Sequence, residues 1–311
     1  MAFLKDNIFK GKLLAEAMSH MRKFAGETFV IKYGGIAMGD PQKIKNFASD
    51  IVLLKNCGIE VIVVHGAGPK VGKILENLKV ESSFVEGVRI ATKENIDLIE
   101  MIMSGHVNKQ LVSEINAAGG VALGFSGKDA SLMMATKIRK TKKETDSIIE
   151  RIVDFGYLGV PTKINTEIFE VLSESQIIPV ISPVGFDDNG NTFVINADNV
   201  AGVIASAIRA HRLILMTEYE GLIGEDGVKI SSLSQLEAES LKKSKIIKGN
   251  MLSKLDVCLE ALKHGVSGAH LINSGVQHAL LLEILTKERI GTLIFNNETN
   301  TNHYDFEFDD I

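Results

Sequence analysis

Hydrophobic positions along this chain switch between two spacings, and the switches mark out its elements. Ile8, Phe9, Leu13, Leu14, Ala17, Met18, Met21 and Phe24 recur at helical spacing, so residues 7–24 read as an amphipathic helix. It precedes every strand, and its apolar stripe either packs on its own domain or serves oligomerisation. From residue 28 onward β-type runs alternate with helices. The pattern predicts strands at 28–32, 59–64, 121–124, 177–181, 212–217, 267–272 and 291–295. It predicts helices at 41–57, 69–78, 93–104, 107–118, 162–175, 197–210, 233–241, 249–264 and 278–287. Asp40-Pro41 opens the first of these, with proline at the favoured first position, and Gly58 closes it. Residues 131–160 read as short β segments with the basic run 137–143 at a solvated hairpin tip. Residues 183–191, rich in Gly, Asp and Asn, read as a turn, and 296–311 as a frayed acidic tail. Strands alternating with helices predict an α/β fold on a mainly parallel sheet. The expected division is an N-terminal helix at 1–25 and lobes at 26–205 and 206–311.

Composition narrows the function classes. With 311 residues the chain is long enough for two lobes, and 45% hydrophobic with 23% charged content is ordinary for a globular protein. A net charge of −5 argues against a nucleic-acid partner, which calls for a basic face. No apolar run reaches the ~18 residues of a membrane span. The first twelve residues carry scattered charges and no secretory signal, so a cytoplasmic location is expected. Cys57 and Cys258, both on apolar-periodic helices, read as small buried hydrophobes rather than a disulfide or metal pair.

Two predicted strands run into glycine loops: 28–32 into Gly34-Gly35, with Lys32 just before it, and 59–64 into His65-Gly66-Ala67-Gly68. Glycine lets backbone N–H groups approach an anion, and a lysine beside such a loop supplies a point charge for phosphate. Neighbouring parallel strands would hold both loops at their carboxyl ends. A dinucleotide fold fits poorly: the glycine spacing after residue 65 is off by one, and no ribose-binding acid follows a strand. No Walker A loop or protein-kinase signature set occurs. Three further clusters suit an anionic site. Asn196-Ala197-Asp198 opens a helix, where Asp198 is either an N-cap or a functional carboxylate. Gly249-Asn250-Met251-Leu252-Ser253-Lys254 puts a lysine in the first turns of another helix, unfavourable for its dipole unless an anion is near. Arg89, after Gly87-Val88, is either a carboxylate clamp in a loop or a solvated arginine.

Lys32-Tyr33-Gly34-Gly35, His65-Gly66-Ala67-Gly68-Pro69, Gly87-Val88-Arg89, Gly124-Phe125-Ser126-Gly127-Lys128-Asp129, Asn196-Ala197-Asp198 and the Gly249 to Lys254 run occur in the order seen in the amino-acid kinase family. The resemblance covers roughly residues 8–295. It implies a three-layer αβα sandwich with an open sheet, and within the family it points to members that phosphorylate the γ-carboxylate of N-acetyl-L-glutamate in arginine biosynthesis. By resemblance Lys32 and Lys254 would hold the transferring phosphoryl group, and Asp198 would orient them. Backbone amides at Gly34, Gly35, Gly66 and Gly68 would cradle the phosphates. Arg89 would grip the substrate α-carboxylate, with Ala67, Val194 and Asn196 around the substrate. ATP would sit on the C-terminal lobe and the acyl amino acid on the N-terminal one. Magnesium would bridge phosphates, with no side-chain metal site of the protein's own.

A carboxylate nucleophile titrating near ~4.3 is already ionised at neutral pH, so no general base is required and His65 reads as structural. The N-terminal helix resembles that of hexameric, arginine-inhibited members, built as trimers of dimers. His278, Glu283 and Gly291 resemble their arginine-binding segment, with Glu283 as guanidinium partner; the alternative is a plain amphipathic helix. Ile36, Ala67 and Val194 depart from the family pattern. They keep open a kinase for another small carboxylate, or a non-catalytic arginine-sensing homologue. Retention of Lys32, Asp198 and Lys254 favours an enzyme.

Overall fold

Alternation within the strands sorts the interior into two cores, one on each face of a sheet. In the computed structural model, which describes residues 2–85, 88–143 and 150–296, Phe29, Ile31 and Tyr33 of strand Thr28–Tyr33 pack into one core and Val30 into the other. Strand Glu60–His65 repeats the pattern with Val61 and Val63 against Ile62 and Val64. So does Arg212–Thr217, with Ile214 and Met216 against Leu213 and Leu215. Helices Pro41–Asn56, Asn108–Ala117 and Ala279–Leu285 fill the first core; Ala197–Ala207 and Gly249–Lys263 fill the second. Strands buried on both faces read as near-continuous apolar runs, as a parallel sheet requires. The result is the expected three-layer αβα arrangement.

The sheet has eight strands, in the order Ser232–Ser234, Thr292–Phe295, Gly268–Asn273, Arg212–Thr217, Thr28–Tyr33, Glu60–His65, Ile178–Ser182 and Ala122–Ser126. Every neighbouring pair is parallel except Gly268–Asn273 with Thr292–Phe295. It runs without interruption across residues from both expected lobes, and helix Ala197–Ala207 spans the expected boundary at 205. Asp40 caps helix Pro41–Asn56, accepting from the Gln42 and Lys43 amides.

Several expectations need correction. Residues 131–160 are not short segments: Met133–Lys143 and Glu150–Ile164 form one long antiparallel hairpin. The whole basic run 137–143 lies within its first strand, with Lys137 paired to Asp154 at 2.8 Å, and the tip at 144–149 lies outside the described residues. The 183–191 turn holds strand Val184–Phe186, which with Thr192–Ile195 and the hairpin closes a small four-stranded ring. The helices predicted at 93–104 and 107–118 are continuous: Ile96–Glu100, a π-helical stretch Met101–Val107, then Asn108–Ala117. A π turn inserts a residue and shifts the apolar period, which in sequence looks like a break. The expected tail lies outside the described residues from 297 onward. Cys258 is buried, Cys57 half-buried, and both are free.

Helix Ala2–Phe24 divides along its length. Ala17, Met21 and Phe24 pack on the domain, while Ile8, Phe9, Leu14 and Met18 stay exposed.

Candidate active site

Both glycine loops leave the sheet at one level, because Lys32 stands opposite Val64 and Tyr33 opposite His65 in parallel register. The Gly66 amide donates to the Tyr33 carbonyl at 2.7 Å, which draws the loops together. A Cβ on Gly34 would lie 3.2 Å from the Gly66 Cα, and Gly35 has φ +71°, so each needs glycine for its own reason. Ala67 precedes helix Gly68–Asn77 with φ −146° and ψ −3°, so its φ is negative and does not call for glycine. No side chain caps that helix, so its first N–H groups and its positive dipole end face the loops. Gly34, Gly35, Gly66 and Gly68 are thereby gathered at the carboxyl ends of two central strands. His65, wholly buried, is pushed down to about 4 by its burial and stays neutral.

Lys32 shares the Val30 face of its strand, which turns it toward helices Ala197–Ala207 and Gly249–Lys263. The N-cap of the first is Asn196, whose Oδ1 accepts from the Asp198 and Asn199 amides at 2.8 and 3.3 Å. Asp198 is therefore not the cap, and its carboxylate turns inward between two lysines. Lys32 Nζ forms an ion pair with Oδ1 at 3.0 Å, without hydrogen-bond alignment, and Lys254 Nζ donates to Oδ2 at 2.5 Å. All three are under 10% exposed. Burial pushes the Asp198 carboxyl up, but the two cations outweigh it and hold it below the usual carboxylate range. Burial also brings Lys32 below the usual lysine range, with Asp198 opposing the drop and Lys254 adding to it. Lys32 and Lys254 share this one carboxylate in a water-poor setting, where their charges act strongly on an incoming anion.

Ala67, Arg89, Val194 and Asn196 line one cavity of about 440 Å³. It adjoins the glycine loops through Gly68 and the lysine cluster through Ala197. Arg89 is not in a loop, as expected, but in strand Val88–Ile90, opposite Phe84. Its guanidinium lies 5.0 Å from the Phe84 ring centroid and donates to Ser82 Oγ. A Cβ at Gly72 would fall 2.5 Å from its Nη2, so Gly72 makes room for a held cation. Asn196 spends its Oδ1 on the helix cap, leaving its amide nitrogen for a ligand. The Gly124 to Asp129 motif is a packing loop: Asp129 Oδ2 accepts from the Ser126 amide and hydroxyl at 2.6 and 2.8 Å. Sequence reasoning missed the other walls of the cavity, among them Ile99, Met103, Ile138, Phe155 and Leu158. All come from the continuous helical run or the long hairpin, the two segments whose register the pattern concealed.

The sequence model of the amino acid kinase family matches residues 27–273. The chain belongs to the amino acid kinase family. It is 44% identical over 287 residues to acetylglutamate kinase from Rhodospirillum rubrum, covering 92% of this chain and 93% of that one. Acetylglutamate kinase from Parvibaculum lavamentivorans is 45% identical over 285 residues, covering 92% and 94%. Among solved structures, N-acetylglutamate synthase from Neisseria gonorrhoeae, in complex with coenzyme A and N-acetyl-glutamate, superimposes with TM-score 0.78 at 22% identity. The match covers 91% of this chain and 63% of the synthase. Carbamate kinase from Giardia lamblia, bound to AMP-PNP, gives TM-score 0.62 at 17% identity over 88% of this chain and 99% of that one. These two likenesses establish the shared fold.

In this family member the expected effector residues are engaged internally. Glu283 is buried: Oε1 meets His270 Nδ1 at 2.9 Å and Oε2 accepts from the Gly291 amide at 2.9 Å. Both of its carboxylate oxygens thus have partners within the chain. His278, at φ +54°, pairs through Nδ1 with Asp50 Oδ1 at 2.6 Å.

Proposed function

We propose that this amino acid kinase family member transfers the γ-phosphoryl group of ATP to the γ-carboxylate of N-acetyl-L-glutamate, a step of arginine biosynthesis. The observation that carries the reading is the buried Lys32–Asp198–Lys254 cluster between glycine loops and a cavity holding Arg89, in a chain 44% identical over 92% of its length to an acetylglutamate kinase. One γ-carboxylate oxygen, ionised at neutral pH, forms a bond to the γ-phosphorus. The bond from phosphorus to the β–γ bridging oxygen breaks, and its electron pair leaves on ADP. The demand on the protein is to bring two anions together and stabilise spreading charge. Lys32 and Lys254 meet that demand, Asp198 fixes them, and amides at Gly34, Gly35, Gly66 and Gly68 hold phosphate oxygens. Arg89 receives the α-carboxylate.

Asp198 has both oxygens facing lysines, and among the described residues no three His, Cys, Asp or Glu side chains converge on a metal site. In this reading magnesium enters with the nucleotide, as MgATP. The acyl amino acid binds residues of the 26–205 lobe and the nucleotide those of 206–311. No helix among the described residues is long and apolar enough to cross a membrane, in keeping with work in the cytoplasm. The exposed stripe of helix Ala2–Phe24 favours a homo-oligomer, a hexamer in this reading. Arginine as effector requires Glu283 to exchange its internal partners.

The test is ADP formation with N-acetyl-L-glutamate, N-acetyl-aspartate, glutamate, aspartate, UMP and carbamate, each with and without arginine. N-acetyl-L-glutamate should be the preferred acceptor. Turnover confined to another acid would replace the substrate, and none on any would favour an arginine sensor without catalysis. Arg89→Lys should raise KM for N-acetyl-L-glutamate about ten- to hundredfold, the worth of one charge-assisted hydrogen bond. KM for MgATP should hold within about twofold. An equal rise in both would remove Arg89 from the acceptor site.

A further inference from the structure

We propose that the cavity beside Arg89 accepts N-acyl groups longer than acetyl, and that Met103 sets their length; this rests on the reaction proposed for the same site. The cavity, about 440 Å³, has among the described residues two polar side chains on its wall, Arg89 and Asn196. Its other side chains are apolar, with Ile99, Met103, Ile138, Phe155, Leu158 and Val194 supplying most of the bulk.

An N-acetylated glutamate has two carboxylates and an amide, and a single methyl group to offer such a wall. Its carboxylates are served at the Arg89 and phosphate-loop ends. The apolar stretch between helix and hairpin therefore exceeds what one methyl can cover. Unfilled apolar wall attracts further methylenes, because each one removed from water improves binding about fourfold.

The wall is built in advance. Ile99, Met103 and Phe155 are each 4% exposed or less and belong to the packed interior. Met103 lies in the π-helical stretch Met101–Val107. The next residue, Ser104, donates through Oγ to Ser182 Oγ at 3.1 Å and ties that stretch to the end of strand Ile178–Ser182. Methionine is unbranched and fills irregular space without a fixed shape, so this wall yields to chains of different length. Ile138 and Leu158 face it from the hairpin, an element joined to the body by the Ala91–Gly156 bridge.

The experiment compares kcat/KM for N-acetyl-, N-propionyl-, N-butyryl- and N-hexanoyl-L-glutamate with MgATP on the full chain. Titration calorimetry measures binding of the acetyl and butyryl compounds in parallel. The N-butyryl compound should match or exceed N-acetyl in kcat/KM and bind at least as tightly. Met103→Phe should lower the butyryl-to-acetyl ratio of kcat/KM at least tenfold. Ile138→Phe, at a half-buried hairpin position, should shift the ratio the same way if Met103→Phe fails to fold. A butyryl kcat/KM below a tenth of the acetyl value overturns the proposal while leaving the reaction assignment intact. Turnover of neither compound, with ADP formed on an unrelated acid, overturns the reaction assignment. Binding then decides the acyl-length proposal: butyryl bound tenfold more weakly than acetyl, or neither bound, overturns it too.

Discussion

Lys254→Ala should lower kcat about 10²- to 10³-fold, the range seen when one preorganised charge stabiliser is removed, while KM for both substrates stays within about threefold. In the resting protein Lys254 already spends one N–H on Asp198 at 2.5 Å. Its remaining donors and its charge gain most when negative charge spreads over the equatorial oxygens of the moving phosphoryl group. A contact that strengthens in the transition state appears in kcat, whereas uniform binding appears in KM. Burial magnifies the effect, because Lys254 is only 7% exposed and little water screens its charge. Steady-state ADP release combined with single-turnover measurements separates the chemical step from product release. A rise in KM with kcat unchanged would make Lys254 a ground-state binding residue.

What the sequence made legible follows from how local each signal is. The Lys32 loop and the Gly66 loop could be read because strand, glycine and charge are adjacent in the chain. Their convergence followed from parallel pairing of neighbouring strands. Asp198 was harder to read, since a helix-opening Asn-Ala-Asp is consistent with either residue as the cap. Only the geometry gives Asn196 the backbone amides and Asp198 the lysines. The cavity walls were hidden for a different reason. Met103 sits in a π turn that breaks the 3.6-residue period, and Ile138, Phe155 and Leu158 sit in a hairpin with register shifts near Ala135 and Arg139. Glu283 suits a guanidinium by its type, but its partner His270 lies on another element and could not be read from the sequence around it. Pattern finds elements and loop chemistry; it does not find side chains whose neighbours lie far along the chain.

Asp198→Asn should cost about 3–5 kcal/mol of folding stability at pH 7, the penalty for removing one partner of a buried ion pair, besides abolishing most activity. Asparagine keeps the shape but takes away the carboxylate that both buried lysines contact, leaving Glu218 as a counter-charge acting on Lys32. The pH dependence carries the sign. In the parent protein the Asp198 carboxyl is held below its ordinary value despite burial, because Lys32 and Lys254 flank it. Its contribution is therefore complete above the unfolded carboxylate range, near ~3.9, and is lost as pH falls through the lower folded value. The variant lacks that acid-side loss. Lys32 is already brought down by burial, with Asp198 opposing the drop, so in the variant it falls further. The folded variant then binds fewer protons than the unfolded chain at alkaline pH, and its stability climbs as pH rises toward the ordinary lysine range near ~10.4. Urea unfolding of parent and variant at pH 7 and 9.5 reads this directly: the gap should narrow at the higher pH. A gap below about 1 kcal/mol, or one that stays constant between the two pH values, would mean that solvent rather than Asp198 neutralises the two lysines.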